Sequence, residues 1–72
     1  MFSEYEVVRL KRAQSGLGAG AIGTIVMVYD SVPPGYDVEF ADRDGVTVAL
    51  LTLRDDDLEL GREDDAVQRA TQ

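Results

Sequence analysis

The fold is decided by an alternating stretch, a turn and an apolar stretch: Tyr36-Asp37-Val38-Glu39-Phe40, then Asp42-Arg43-Asp44-Gly45, then Val46-Thr47-Val48-Ala49-Leu50-Leu51-Thr52-Leu53. Strict alternation over 36–40 predicts a strand with two aromatic side chains and a valine on one face and Asp37 and Glu39 facing water. The following four residues are a turn signature that requires a positive φ at Gly45. The whole stretch therefore predicts a β-hairpin.

The residues on either side of the hairpin predict three more strands. Residues 5–10 mix β-branched and polar side chains, and residues 23–30 form the densest β signal in the chain. Proline and glycine in 31–35 end the second of these strands. Residues 54–57 end the hairpin, and 58–60 predict a tight helical turn followed by a closing strand. We expect an all-β fold, a strongly bent antiparallel sheet of five short strands closed or nearly closed into a barrel.

Length and composition limit the chain to one small domain. It has 72 residues, 44% of them hydrophobic, and neither cysteine nor histidine. A chain this short buries only about 60% of its unfolded surface, so it relies on packing alone or on an oligomer such as a homodimer. We expect an ordered domain over 1–61 and an acidic, disordered tail over 62–72, because a helix of about eleven residues is marginal in water unless a partner binds it.

The N-terminal residues are acidic where a signal peptide is basic, and no apolar run approaches the roughly 18 residues of a membrane helix. These features predict a cytoplasmic protein with no membrane contact.

Residues suited to catalysis are scarce. Without histidine or cysteine the three serines have no evident base, and the carboxylates fall in predicted turns and outward strand positions. Residues 18–23 match the dinucleotide fingerprint, but no helix is predicted after them. The acidic groups at 42–45 and 55–57 hold too few ligands for calcium or magnesium. We therefore predict no enzyme, no cofactor and no metal site.

The net charge of −7 repels phosphate backbones and makes nucleic acid an unlikely partner. A small basic cluster of Arg9, Lys11 and Arg12 keeps an alternative open. In that alternative the chain is a nucleic-acid-binding module in which the cluster holds phosphate while a nearby tyrosine stacks on a base.

A resemblance to a known family is carried by five segments in order: Val7-Val8-Arg9-Leu10, Gly20-Ala21-Ile22-Gly23-Thr24-Ile25-Val26, Tyr36-Asp37-Val38-Glu39-Phe40, Thr47-Val48-Ala49-Leu50-Leu51-Thr52-Leu53 and Asp57-Leu58. Over roughly residues 5–60 the chain resembles the bacterial family known as domain of unknown function 4926, and more distantly the SH3-like barrels of Tudor, KOW and nitrile hydratase β-subunit type. The resemblance implies an SH3-like barrel and no established activity. Family members also tend to look like one half of a two-gene cassette, which implies an antitoxin, immunity or accessory role.

These considerations favour a non-catalytic protein-interaction module whose partner is a toxin or enzyme encoded by an adjacent gene. The apolar strand over 48–53 either is buried as the sheet curls or leaves Ala49, Leu51 or Leu53 for an interface, and we favour burial of both faces. Candidates for partner contact are two tyrosines, provided that they lie outside the core, and five acidic residues that would attract a basic partner: Tyr29, Tyr36, Asp37, Glu39, Asp55, Asp56 and Asp57.

Overall fold

A computed structural model describes residues 1–61, and the predicted tail over 62–72 lies outside the described residues. The described chain forms one antiparallel sheet with the strand order β4-β3-β2-β1-β5. This confirms the prediction of an all-β chain with five antiparallel strands. A single 3-10 turn, Asp55–Asp57, connects the last two strands. The strands are β1 (Val7–Leu10), β2 (Ile22–Tyr29), β3 (Gly35–Ala41), β4 (Thr47–Arg54) and β5 (Leu58–Leu60).

The core lies on one side of this sheet. The alternation in β3 buries Tyr36, Val38 and Phe40, as the sequence predicts. Each of these residues is at most 2% exposed. β3 sits between β2 and β4, so its inward side chains meet residues from both neighbours. The complete set of buried apolar residues is Val8, Leu10, Ile25, Tyr36, Val38, Phe40, Leu53 and Leu58.

A β-bulge sets which face of β4 points inward. Phe40 pairs with Ala49 but the next residue, Ala41, pairs with Thr47, so Val48 is an extra residue on β4. A shift of one residue moves every following side chain to the opposite face of the sheet. The orientation of the rest of β4 is therefore fixed by this bulge.

Of the three residues considered for an interface, Leu53 is buried and serves none. Ala49 and Leu51 pack against the core but are only partly buried, so both keep exposed surface. The expectation that both faces are buried is wrong, because Leu50 is 59% exposed on the opposite face and the bulged Val48 is 55% exposed.

Local backbone geometry explains where the predicted elements begin and end. Gly45 has a φ of 80°, which confirms the positive φ predicted for the hairpin turn. Tyr5 has a φ of 71°, a left-handed conformation outside the β region, and β1 begins at Val7 and not at residue 5. The helical turn falls on Asp55–Asp57 and leaves all of Leu58–Leu60 to β5.

The burial pattern of β3 predicts a steep contrast between neighbouring substitutions. Phe40→Ala is expected to lower the free energy of unfolding by about 3 to 5 kcal/mol and Val38→Ala by about 2 kcal/mol, because each leaves a cavity. Glu39→Ala, on the exposed face between them, is expected to change it by less than about 0.5 kcal/mol. Urea unfolding followed by circular dichroism measures all three, and a Phe40→Ala protein as stable as the wild type would contradict the inward assignment.

Gly23 makes room for the β3 side chains. A Cβ at this position would lie 2.6 Å from Val38 Cγ1 and 2.9 Å from Phe40 Cε1, which is closer than atoms pack. Gly23→Ala is therefore expected to destabilise the protein by about 1 to 3 kcal/mol through overpacking. Gly18→Ala is the matched control, since a Cβ there meets nothing within 4 Å. Equal melting temperatures for the two variants would show that the core accommodates the added methyl group.

Candidate partner-binding face

The side of β2, β3 and β4 opposite the core carries exposed apolar side chains around a carboxylate. Asp37 lies at its centre, paired in register with Met27 of β2 on one side and with Thr52 of β4 on the other. A second bulge, between Ile25 and Met27, places Met27 opposite Asp37. We call this surface the outer face and define it by Met27, Tyr29, Asp37, Glu39, Leu50 and Thr52.

Two hydrogen bonds fix the carboxylate of Asp37. The Tyr29 hydroxyl donates to Oδ2 at 2.6 Å, and the Thr52 hydroxyl donates to Oδ1 at 2.6 Å. A carboxylate oxygen has lone pairs for two hydrogen bonds, and each oxygen of Asp37 accepts one from these hydroxyls, so each can accept another. Asp37 is therefore a carboxylate with a fixed orientation and remaining acceptor sites.

The same hydrogen bonds lower the pKa of the Asp37 carboxyl below its ordinary value, the one from Thr52 more than the one from Tyr29. They act in reverse on Tyr29, where the hydrogen bond to Asp37 is the main cause of a raised pKa. At neutral pH Asp37 is therefore ionised and Tyr29 protonated, so Asp37 gives the outer face a negative charge.

Tyr36 is not available to a partner, which corrects its place among the candidates. Its residue surface is 0% exposed, because it shares the inward face of β3 with Val38 and Phe40. Its hydroxyl accepts a hydrogen bond from the Phe2 backbone N–H at 3.0 Å and donates one to Asp55 Oδ1 at 2.5 Å. Burial first, and then the hydrogen bond to Asp55, raise the pKa of Tyr36. The residue belongs to the core and ties the N-terminal segment to the 3-10 turn.

The aspartates of the acidic 3-10 turn make hydrogen bonds near the turn and none with Asp37, Tyr29 or Thr52. Asp55 accepts from Tyr36, and Asp57 accepts from the Arg54 backbone N–H at 3.0 Å. Of the three aspartates predicted here for partner contact, Asp56 alone has an exposed side chain, while Asp55 and Asp57 are half-buried. The candidates that the structure does bring together are Tyr29 and Asp37, with Glu39 exposed on the same face.

Acidic residues accompany the basic cluster. Arg9 forms an ion pair with Glu59 at 3.4 Å, and Arg12 with Asp57 at 3.5 Å. Arg12 also donates to the Asp56 carbonyl at 3.0 Å. Two of the three predicted phosphate contacts are therefore engaged with the chain's own acidic groups.

Sequence reasoning missed Thr52, Met27 and Leu50 as residues of the outer face. Thr52 lies in a predicted strand that is apolar on both faces, and no neighbouring residue along the chain indicates its contact with Asp37, which is 15 residues away. All three could be identified only from the pairing register of β2, β3 and β4. Two bulges shift that register by one residue each, and the sequence does not show them.

Within residues 1–61 the structure contains no group of three or more histidine, cysteine, aspartate or glutamate side chains arranged to hold a metal ion. No helix in this part of the chain is long and apolar enough to cross a membrane. A shallow open depression of about 260 Å³ is lined by Glu4, Tyr5, Glu6, Val7, Leu60 and Gly61.

The Asp37 hydrogen bonds predict a measurable pH dependence. Thr52→Val is expected to raise the pKa of Asp37 towards the ordinary value of about 3.9. A lowered folded-state pKa contributes stability above the unfolded pKa and loses it as pH falls through the folded pKa. Thr52→Val should therefore be less stable than the wild type at pH 7, and this difference should shrink as the carboxyl becomes protonated.

Carbon-detected NMR titration of the Asp37 carboxyl, with thermal unfolding at pH 7 and near pH 2, measures both effects. Thr47→Val is the matched control, because Thr47 is an exposed threonine of the same strand without a side-chain hydrogen bond within the described chain. An unchanged Asp37 midpoint in Thr52→Val would contradict the assigned contact.

No curated protein matches the chain. The sequence model of the family described as "Domain of unknown function (DUF4926)" matches residues 4–60, which include all five strands. The chain therefore belongs to the DUF4926 family.

Proposed function

We propose that this chain is a non-catalytic protein-binding module. Its outer face contacts a basic residue of the partner and the apolar residues that surround that basic residue. The observation that carries the proposal is the Asp37 carboxylate, fixed by Tyr29 and Thr52 among exposed apolar side chains. A carboxylate held in one orientation loses little conformational entropy when it accepts a hydrogen bond from arginine or lysine.

Exposed apolar side chains next to this charge supply contact area. Met27, Tyr29 and Leu50 are 47%, 44% and 59% exposed. Methionine adapts its shape to a partner, and tyrosine is common among the residues that dominate binding energy. A surface that alternates such side chains with a fixed charge fits a protein partner better than a small solute.

Charge supports a basic partner. The chain carries a net charge of −7, and Asp37 and Glu39 point outward from the middle strand of the outer face. Complementary charge speeds association and selects among partners. Together with the family resemblance, this supports an antitoxin, immunity or accessory role towards a toxin or enzyme encoded nearby in a bacterium.

We also propose that the sheet closes into an SH3-like barrel and that the protein is cytoplasmic. The order β4-β3-β2-β1-β5, with a 3-10 turn before β5, is compatible with such a barrel. Because folds of this kind host many functions, the case for binding rests on the outer face and not on the fold.

Nucleic acid is the less favoured ligand. Arg9 and Arg12 each pair with an acidic residue of the chain, so a phosphate would have to displace Glu59 or Asp57. The repulsion from the remaining carboxylates adds to that cost.

Two aspartate variants test the proposal. Asp37→Asn removes the charge from the outer face, whereas Asp30→Asn makes the same change in net charge at an exposed residue between β2 and β3. Tagged proteins are used to recover partners from the native cytoplasm at moderate and high salt, and calorimetry then measures the affinity of the purified partner. Loss of a charge-assisted hydrogen bond, about 1.5 to 3 kcal/mol, should weaken binding by Asp37→Asn about 10- to 100-fold.

The expected result is one protein retained by the wild type and by Asp30→Asn and lost by Asp37→Asn, with the three melting temperatures recorded alongside. A partner that binds Asp37→Asn as tightly as the wild type would place the contact elsewhere. Recovery of nucleic acid that is lost at high salt would favour the alternative based on Arg9, Lys11 and Arg12.

A further inference from the structure

Among residues 1–61, the edge formed by β4 is long and has no pairing strand. β4 spans eight residues and pairs with β3 on one side, and no other described strand pairs with it. Outside that ladder, the backbone groups of 47–53 make no hydrogen bond to any residue of 1–61. The opposite edge, β5, has only three residues. The free donors and acceptors of this sheet are therefore concentrated along β4.

Natural edge strands are protected by charge, proline, bulges or shortness. No charged residue and no proline occurs between Gly45 and Arg54. The bulge at Val48 disturbs only the beginning of the strand, and 49–54 pair with β3 without interruption. The five residues 49–53 thus present a regular, uncharged edge. This is the kind of edge to which an extended segment adds by main-chain hydrogen bonds.

We propose that the partner of this chain binds by adding an extended segment to the edge of β4, and that this segment alternates basic and apolar residues. The inference rests on the proposed function and specifies how the partner is recognised. It follows from the side chains that border the edge on the two faces of the sheet.

On the outer face the added strand would lie beside Leu50 and Thr52, with Asp37 and Glu39 one strand further in. Strands are about 4.8 Å apart, so an arginine or lysine on the added strand reaches across β4 to these carboxylates. Neither carboxylate has a cationic side chain within 4 Å among residues 1–61. Basic side chains on this face would therefore meet acceptors that the described chain does not neutralise.

On the inner face the added strand would lie beside Ala49 and Leu51, which are half-buried against the core. Apolar side chains there would extend the core and cover these two residues. Because successive side chains of a strand point to opposite faces, basic residues on one face and apolar ones on the other give strict alternation.

A second copy of the chain meets these requirements poorly. β4 has one cationic residue, Arg54, so pairing β4 with itself brings a single cation per strand to the two carboxylates of Asp37 and Glu39. Two chains of charge −7 also repel each other. Charge thus favours a basic segment from another protein over self-association.

Three synthetic octapeptides with blocked ends test the inference. The first alternates arginine and valine, the second has four arginines followed by four valines, and the third is the alternating peptide with its alternate backbone amides N-methylated. All three have the same charge, so general attraction to an acidic protein is the same for each. Calorimetry gives the affinities, and amide hydrogen exchange by NMR locates the contact on the full chain.

The alternating peptide is expected to bind at least tenfold tighter than the other two and to slow exchange of every second amide within 49–54. Glu39→Gln and Asp37→Asn should weaken that binding, and Asp30→Asn should not. Equal affinities for all three peptides, or no binding by the alternating peptide at 1 mM, would overturn strand addition.

Two further outcomes separate this inference from the proposed function. If the N-methylated peptide binds as well as its parent and still depends on Asp37, the outer face binds by side chains alone, and strand addition fails while the proposed function stands. If sedimentation shows a dimer in which the β4 amides are already protected without peptide, the edge belongs to a second copy and the inference is overturned.

Discussion

The burial of three side chains from one strand, Tyr36, Val38 and Phe40 of β3, is the constraint on which the rest of the structure depends. β3 lies between β2 and β4, and its inward side chains form the centre of the core. β2 accommodates them by presenting Gly23 opposite Phe40. Since the strand alternates, fixing these three side chains inward also fixes Asp37 and Glu39 outward. The core and the outer face are therefore two consequences of one pattern.

The hydroxyl group of Tyr36 connects the small core to the N-terminal segment and to the 3-10 turn. A buried hydroxyl without a partner would cost about 1 to 3 kcal/mol. Here the Phe2 backbone N–H donates to the hydroxyl, and Asp55 accepts from it. The Phe2 ring also packs edge-on against the Tyr36 ring, with 5.5 Å between the ring centroids. One residue of β3 thus connects the N-terminal segment with the 3-10 turn before β5. Asp55 is acidic, but its carboxylate accepts this hydrogen bond and is half-buried.

Local patterns predicted the elements of this fold, and distant contacts limited what could be predicted of the site. The alternation over 36–40 and the turn at Gly45 depend on neighbouring residues, and both are confirmed. The facing of β4 depends on an extra residue at Val48, and counting from the turn without it assigns Ala49 and Leu51 to the wrong face. The partners of Asp37 and Tyr36 lie 8 to 34 residues away along the chain, so no local pattern reports them.

The exposed apolar side chains of the outer face are not required by the core of the described sheet. One layer of five short strands has two faces, and the described residues provide a core for only one of them. Polar residues at Met27 and Leu50 would leave that core intact, because both side chains point away from it. Apolar residues at these positions therefore contribute little to the fold and increase the risk of association. The proposed contact with another molecule accounts for such residues, and their position around a fixed Asp37 carboxylate is the reason for proposing a basic protein segment as the ligand.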